Sequence, residues 1–285
     1  MTPLRQKMMD AMQVRGFSAR THQSYLSAVS ALAQYYHRPP DRLSVDELQA
    51  YFLYLVKERG LSGASYRLYL NRIRFLYLQV LGWDSFEVTL HTPKAAQRIP
   101  ELLTRAEVKQ ILSVCRNLKH QVMLMTCYGC GLRVSELVAL KVRHIDGESH
   151  LLRAEQEKGG KDHQVVLPET LLQQLRQYWR QTHPTLWLFP HGDTRRALNA
   201  FTPQKVFTRA KRCAGINKVG GIHSLRHAYA THQLEAGLPV HQLQRLLGHQ
   251  NLYSTLRYVH WVPHYQKGQG GTDLIAALEV DHGGH

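Results

Sequence analysis

Apolar residues recur at three- and four-residue intervals through most of this 285-residue chain, and glycine or proline interrupts each run. That period is one face of an α-helix, so the chain must fold mainly from helices that each bury a stripe. Ser18 can cap a helix carrying Tyr25, Val29, Leu32 and Tyr36 on one face, with "RPPD" as its stop. Ser44 and Glu47 in "SVDE" have the spacing of a capping box, in which each side chain satisfies the other residue's free amide. Leu48, Tyr51, Phe52 and Leu55 follow as the apolar face, closed by Gly60. A third run, Tyr66, Leu70, Ile73, Tyr77 and Leu81, stops at Gly82. Its other face carries Arg67, Arg72 and Arg74 among tyrosines, a surface suited to backbone phosphates.

The period fails over residues 84–103, where two prolines and mixed polarity read as a linker. We therefore expect a helical domain over 1–83, a linker over 84–100 and a second domain over 101–285, with the boundary near residue 95. Thr104 to Glu107 in "TRAE" form a second capping box ahead of Val108, Ile111 and Leu112. "HLLRA" and "HQVVLP" are short β-prone runs, and Gly159 and Gly160 between them suit a hairpin turn. Helices resume near Pro168. One of them, within "TPQKVFTRAKRCAG", places Lys205, Arg209 and Arg212 on one side. Another runs from about Ser224 to Ala236 before Gly237, and a short one from Pro239 to Leu247 before Gly248. The fold class is thus mainly α with a small antiparallel β element.

Charge narrows the function. Lys and Arg number 36 against 21 Asp and Glu, a net charge of +15. The excess is shared, with 13 basic and 7 acidic residues in the first 100 positions and 23 and 14 in the rest. Two basic folded halves suit a long polyanion, because neutralised phosphates release counterions and drive association. No apolar run approaches a membrane span, and "MTPLRQKMMDAMQ" lacks the apolar centre of a secretory signal. Cys115, Cys127, Cys130 and Cys213 show no disulfide framework, which fits a reduced, cytoplasmic protein.

Several short motifs carry chemistry. In "GCGLRVSEL", Arg133 follows a glycine break and precedes a helix, so its planar fork can point out of the turn at two phosphate oxygens. In "HSLRHAYATH", His223 and Arg226 lie three apart and share a helical face. "LLGHQN" presents His249 just after a glycine stop, and Tyr258 follows nine residues later. A deprotonated phenol is an oxygen nucleophile able to form a phosphoester.

The ordered series is specific: GLR-x-x-E at 131–136, a lysine in a β-turn at 158, H-x-x-R at 223–226, L-L-G-H at 246–249, then Tyr258. It resembles the tyrosine recombinases, the phage integrase family that includes Xer-type enzymes. The resemblance implies a helical SAM-like core-binding domain and a catalytic domain that close on double-stranded DNA as a C-shaped clamp. It also implies that Arg133 and Arg226 hold the scissile phosphate, with Glu136 orienting the site. Lys158 would protonate the leaving 5′-oxygen, and His223 and His249 would hydrogen-bond the phosphate and assist proton transfer. Tyr258 would attack to leave a 3′-phosphotyrosine. No metal or other cofactor is expected, since arginines, a lysine and histidines supply the charge. The expected assembly is a homotetramer on paired sites, with or without a partner recombinase, with DNA integration or the movement of a mobile element among its uses.

Alternatives remain at the level of sequence. Tyr253 is a second phenol near the site, and Lys161 competes with Lys158. His227 and His232 read as structural groups or DNA-backbone contacts. "GGTDLIAALEV" can form a tail helix that packs on its own chain or on a neighbour. A metal hydrolase is disfavoured by the missing H-E-x-x-H and by a Cys127-x-x-Cys130 pair with no second pair. A non-catalytic DNA-binding protein of the same fold, or a strand-relaxing topoisomerase of the IB type, would share most of these features.

Overall fold

The computed structural model describes residues 2–88, 100–155, 162–192 and 196–262. The chain divides into two compact units, Met1–Arg98 and Ile99–His285.

The first unit is a helical bundle. Helix α1 (Pro3–Val14) starts with proline in its first turn behind Thr2 and buries Met8 and Met12. Helix α2 (Ala19–Tyr36) is capped by Ser18, whose hydroxyl accepts the Thr21 amide at 3.1 Å. Helix α3 (Val45–Lys57) opens on the full Ser44–Glu47 capping box and buries Leu48, Tyr51, Phe52 and Leu55, the face set by the periodicity. Helix α4 (Gly63–Phe75) departs from the expected regular run, because Leu76–Val80 continues it as a π-turn. The wider turn resets the phase, so the consecutive residues Phe75, Leu76 and Tyr77 all reach the core. Arg67 and Arg74 are seven apart and share the exposed face of α4. Arg72 stands roughly 140° away from Arg67 at 100° per residue and lies over the Tyr69 ring. The three arginines therefore form two surfaces.

The second unit begins with α5 (Arg105–Ser113), capped by the Thr104–Glu107 box, and α6 (Leu118–Gly129), capped by Asn117. Cys127 and Cys130 are buried at the end of α6, and burial pushes both thiols up to about 12. They are packed core thiols. After α7 (Val134–Val138) comes a three-stranded antiparallel sheet in the order β1 (Ile145–Asp146), β2 (Leu151–Ala154), β3 (His163–Val166). The pairing Ala154↔His163 closes its inner end. Helix α8 (Glu169–Thr182) covers α6. Then follow α9 (Phe201–Cys213), α10 (His223–Glu235), α11 (Val240–Leu246) and α12 (Tyr253–Val259). Along α9, Lys205, Arg209 and Arg212 are exposed. Among the described residues, no helix is long and apolar enough to cross a membrane.

Candidate active site

Two glycine turns build the site. Gly131 (φ +59°) ends α6 and Gly248 (φ +58°) ends α11. A Cβ on Gly131 would lie 2.4 Å from the Tyr229 ring, and one on Gly248 would lie 2.6 Å from Nδ1 of His163. Both positions therefore require glycine for conformation and for space. The turns deliver backbone carbonyls to arginines. Arg226, only 1% exposed, donates from Nη1 to Gly131 O and from Nη2 to Leu247 O, both at 2.7 Å. Arg133 donates from Nη2 to Gly248 O at 3.4 Å.

Glu136 joins the two guanidinium groups. It lies one turn into α7 and its carboxylate takes the Arg133 amide at 2.7 Å and Arg133 Nη1 at 2.5 Å. Its Oε2 is 3.7 Å from Arg226 Nη1. At 2% exposure, this carboxylate would be costly to bury without those cations. Arg133 keeps 32% of its side chain open to solvent, so one guanidinium faces outward and the other is sealed.

His249 is held at both nitrogens. Nε2 is 3.0 Å from Arg226 Nη2 and Nδ1 is 2.8 Å from the Thr255 hydroxyl. A guanidinium can only donate, so Nε2 accepts and Nδ1 carries the proton. Burial, then the positive charge of Arg226, Arg133 and Arg257, pushes His249 down to about 4. His223 opens α10 at the solvent edge. Desolvation, followed by Arg226, Arg133 and Arg257, also holds it below its ordinary value.

Tyr258 is 3% exposed and its ring stacks parallel to His249, with centroids 6.3 Å apart. Burial raises its pKa, while Arg226, Arg257 and Arg133 pull the other way, Arg226 also through a side-chain hydrogen bond. Tyr253, the competing phenol, is 76% exposed.

The fold thus brings Arg133, Glu136, His223, Arg226, His249 and Tyr258 together from α7, α10, the α11 turn and α12. Lys158 and Lys161 lie outside the described residues, as does the tail helix. The strand leading to Lys158 is anchored by Glu155, which takes Lys141 Nζ at 2.9 Å and lies 3.0 Å from His144 Nε2. One residue that the sequence reads as a structural group or DNA-backbone contact lies at the candidate nucleophile. His227 is a direct partner of Tyr258, its Nδ1 being 3.1 Å from the phenol oxygen. No local spacing signals it, because the partners are 31 residues apart. His232 is elsewhere, bonded to Tyr128 at 2.9 Å. Among the described residues, no cluster of three or more His, Cys, Asp or Glu could hold a metal ion.

Comparison with known proteins gives the family. Residues 101–264 match the phage integrase family, and residues 4–85 match the phage integrase N-terminal SAM-like domain. The putative integrase/recombinase y4qK of Sinorhizobium fredii is 40% identical over 261 residues, covering 91% of this chain and 84% of that protein. The tyrosine recombinase XerA of Pyrococcus horikoshii is 32% identical, covering 87% and 85% respectively. The same fold occurs in the Tn1549 transposon integrase (TM-score 0.74, 17% identity, 90% of this chain and 94% of that one). It recurs in the XerH site-specific recombinase (TM-score 0.72, 18% identity, 90% and 81%). The chain belongs to the phage integrase family of tyrosine recombinases. It is a site-specific recombinase, an enzyme that cuts and rejoins DNA strands.

Proposed function

We propose that Tyr258 attacks a phosphodiester of double-stranded DNA held by Arg133 and Arg226. The observation that carries this reading is the convergence of two arginines, two histidines and one buried phenol on a single point of the second unit. A phosphoryl group in its transition state gains negative charge on its equatorial oxygens, and preorganised donors at those oxygens lower the barrier most. Glu136 spaces the two cations and keeps their forks oriented. Arg133 meets the phosphate from the solvent side, with His223 as a neutral donor beside it. His249 holds Arg226 from behind. Lys158 is the general acid for the departing 5′-oxygen.

The exposed Arg67 and Arg74 and the half-buried Arg72 in the first unit, with the exposed Lys205, Arg209 and Arg212 on α9, contact the DNA backbone. The solved XerH relative is described as bound to a palindromic DNA in a post-cleavage complex, and the lambda integrase relative as a dimer on a core site. We extend that pattern here to a homotetramer on two paired sites. The retained phosphotyrosine energy lets rejoining proceed without ATP.

Covalent trapping tests the proposal. The protein is mixed with fragmented genomic DNA in EDTA, denatured in SDS, and the protein-linked DNA is sequenced. Recurrent fragments that vanish with Tyr258→Phe but persist with Tyr253→Phe are the expected result. Loss with Tyr253→Phe alone would overturn the nucleophile.

A further inference from the structure

Among the described residues, the phenol oxygen of Tyr258 has two polar neighbours. One is Arg226, the candidate phosphate clamp, and the other is Nδ1 of His227 at 3.1 Å. His249 and His223, the histidines the motif singles out, are placed differently. The two nitrogens of His249 are taken by Arg226 and Thr255, and the ring of His223 meets His227 edge-on at 4.7 Å. We propose that His227 is a further catalytic residue, the base that removes the Tyr258 proton during strand cleavage and returns it during rejoining. This rests on Tyr258 being the nucleophile.

The geometry fits a base. With the phenol donating to Nδ1 across this 3.1 Å contact, the neutral ring carries its proton on Nε2. Trp261 packs edge-on against both rings, 5.5 Å from His227 and 5.2 Å from Tyr258, and fixes their mutual angle. In the forward step the Tyr258 O–H bond breaks and the proton moves to Nδ1. The phenol oxygen bonds to phosphorus as the P–O5′ bond breaks, and the general acid protonates the 5′-oxygen. Rejoining runs these transfers backwards, and no oxidant or co-reactant is needed.

Charged groups around His227 decide when it can act. His223 and Arg226 face it from α10, Arg257 and Tyr258 from α12. Burial first, then His223, Arg257 and Arg226, pushes it down to about 4, so the ring is neutral and ready to accept at neutral pH. The incoming phosphate brings negative charge against those arginines and raises the basicity of His227 only once DNA is bound. The phenol is thereby activated on the substrate and stays protonated off it.

The test uses the full chain and a duplex bearing the trapped cleavage site with sulfur in place of the bridging 5′-oxygen. Sulfur leaves without a general acid, so the rate reports the nucleophile side alone. Single-turnover adduct formation is followed from pH 6 to 9.5. Wild type should be nearly flat above neutrality. His227→Phe should be slower by roughly 10²-fold at pH 7 and should rise about tenfold per pH unit as the phenol ionises unaided, closing the gap at high pH. His227→Gln, which accepts a hydrogen bond but not a proton, should show the same slope and covers the case in which the phenylalanine variant fails to fold. A fixed ratio to wild type at every pH would make His227 a packing residue and overturn the proposal, as would an unchanged rate. An adduct surviving Tyr258→Phe would instead remove the nucleophile assignment beneath it.

Discussion

The two units bury polar groups in opposite ways. In the first, phenols reach backbone carbonyls: buried Tyr77 donates to Pro40 O at 2.5 Å and half-buried Tyr36 to Glu47 O at 2.6 Å. Aromatic rings pack against them, Trp83 on Tyr77 at 4.5 Å and Tyr35 on Tyr36 at 4.8 Å. This core is neutral, and its contacts stabilise directly. In the second unit the site buries Arg226 and Glu136, charges whose desolvation offsets most of their attraction. A buried ion pair adds little stability for its cost, so it points to a task other than holding the fold. The difference teaches where to look for function: among the described residues, the sealed pair Arg226 and Glu136 lies at the point where we propose that the phosphate is held.

Substitutions can break or sharpen that contrast. The largest effect is expected from Arg226→Lys, which keeps the charge but loses the fork that bridges Gly131 O and Leu247 O. Adduct formation should fall on the order of 10³-fold, measured in single turnover, while DNA binding by mobility shift changes far less. Next is Glu136→Gln, which leaves two like charges without their shared anion. It should cost about 3–5 kcal/mol, read as a lowered thermal midpoint for the second unit. By contrast, Phe52→Ala in the neutral core should cost about 3–5 kcal/mol through a cavity. That loss should appear in the first unit's transition and leave the chemical step on bound DNA within about threefold of wild type. If Phe52→Ala slowed the chemical step as much as Arg226→Lys, the division between the cores would fail.

A smaller effect concerns pH. His249 and His227 are both held near 4, against an ordinary value near 6.5. The unfolded chain therefore binds more protons than the folded one between about 6.5 and 4, and stability must fall as pH drops through that window. With solvent screening the loss is about 1 kcal/mol for each ring. Calorimetry should show the second unit's midpoint falling while the first unit's stays nearly fixed. The smallest effect is Ser44→Ala, about 1 kcal/mol from the lost cap of α3.

Much of this was legible in the chain, for identifiable reasons. Both capping boxes and the buried face of α3 follow from local spacing alone, and they form as the pattern dictates. The GLR-x-x-E and L-L-G-H motifs mark the two glycine turns because each turn requires positive φ beside a packed neighbour. Other features depend on tertiary packing and leave no local trace. The π-turn at Leu76–Val80 arises because three consecutive apolar residues must all reach the core, which a regular helix cannot do. Helix α1 buries only Met8 and Met12, too few positions for spacing alone to mark a face. Strand β1 is two residues long, too short to show alternation. His227 stands next to Arg226 in sequence, yet its role depends on where α12 docks.

The most direct test of the central claim is to find the covalent bond. DNA-linked protein from the trapping reaction is digested with nuclease and protease, and the modified peptide is sequenced by mass spectrometry. A nucleotide attached through phosphate to Tyr258, with a free 5′-hydroxyl on the released strand, is the predicted result. A nucleotide on Tyr253, or on any residue outside the cluster around Arg226, would contradict it.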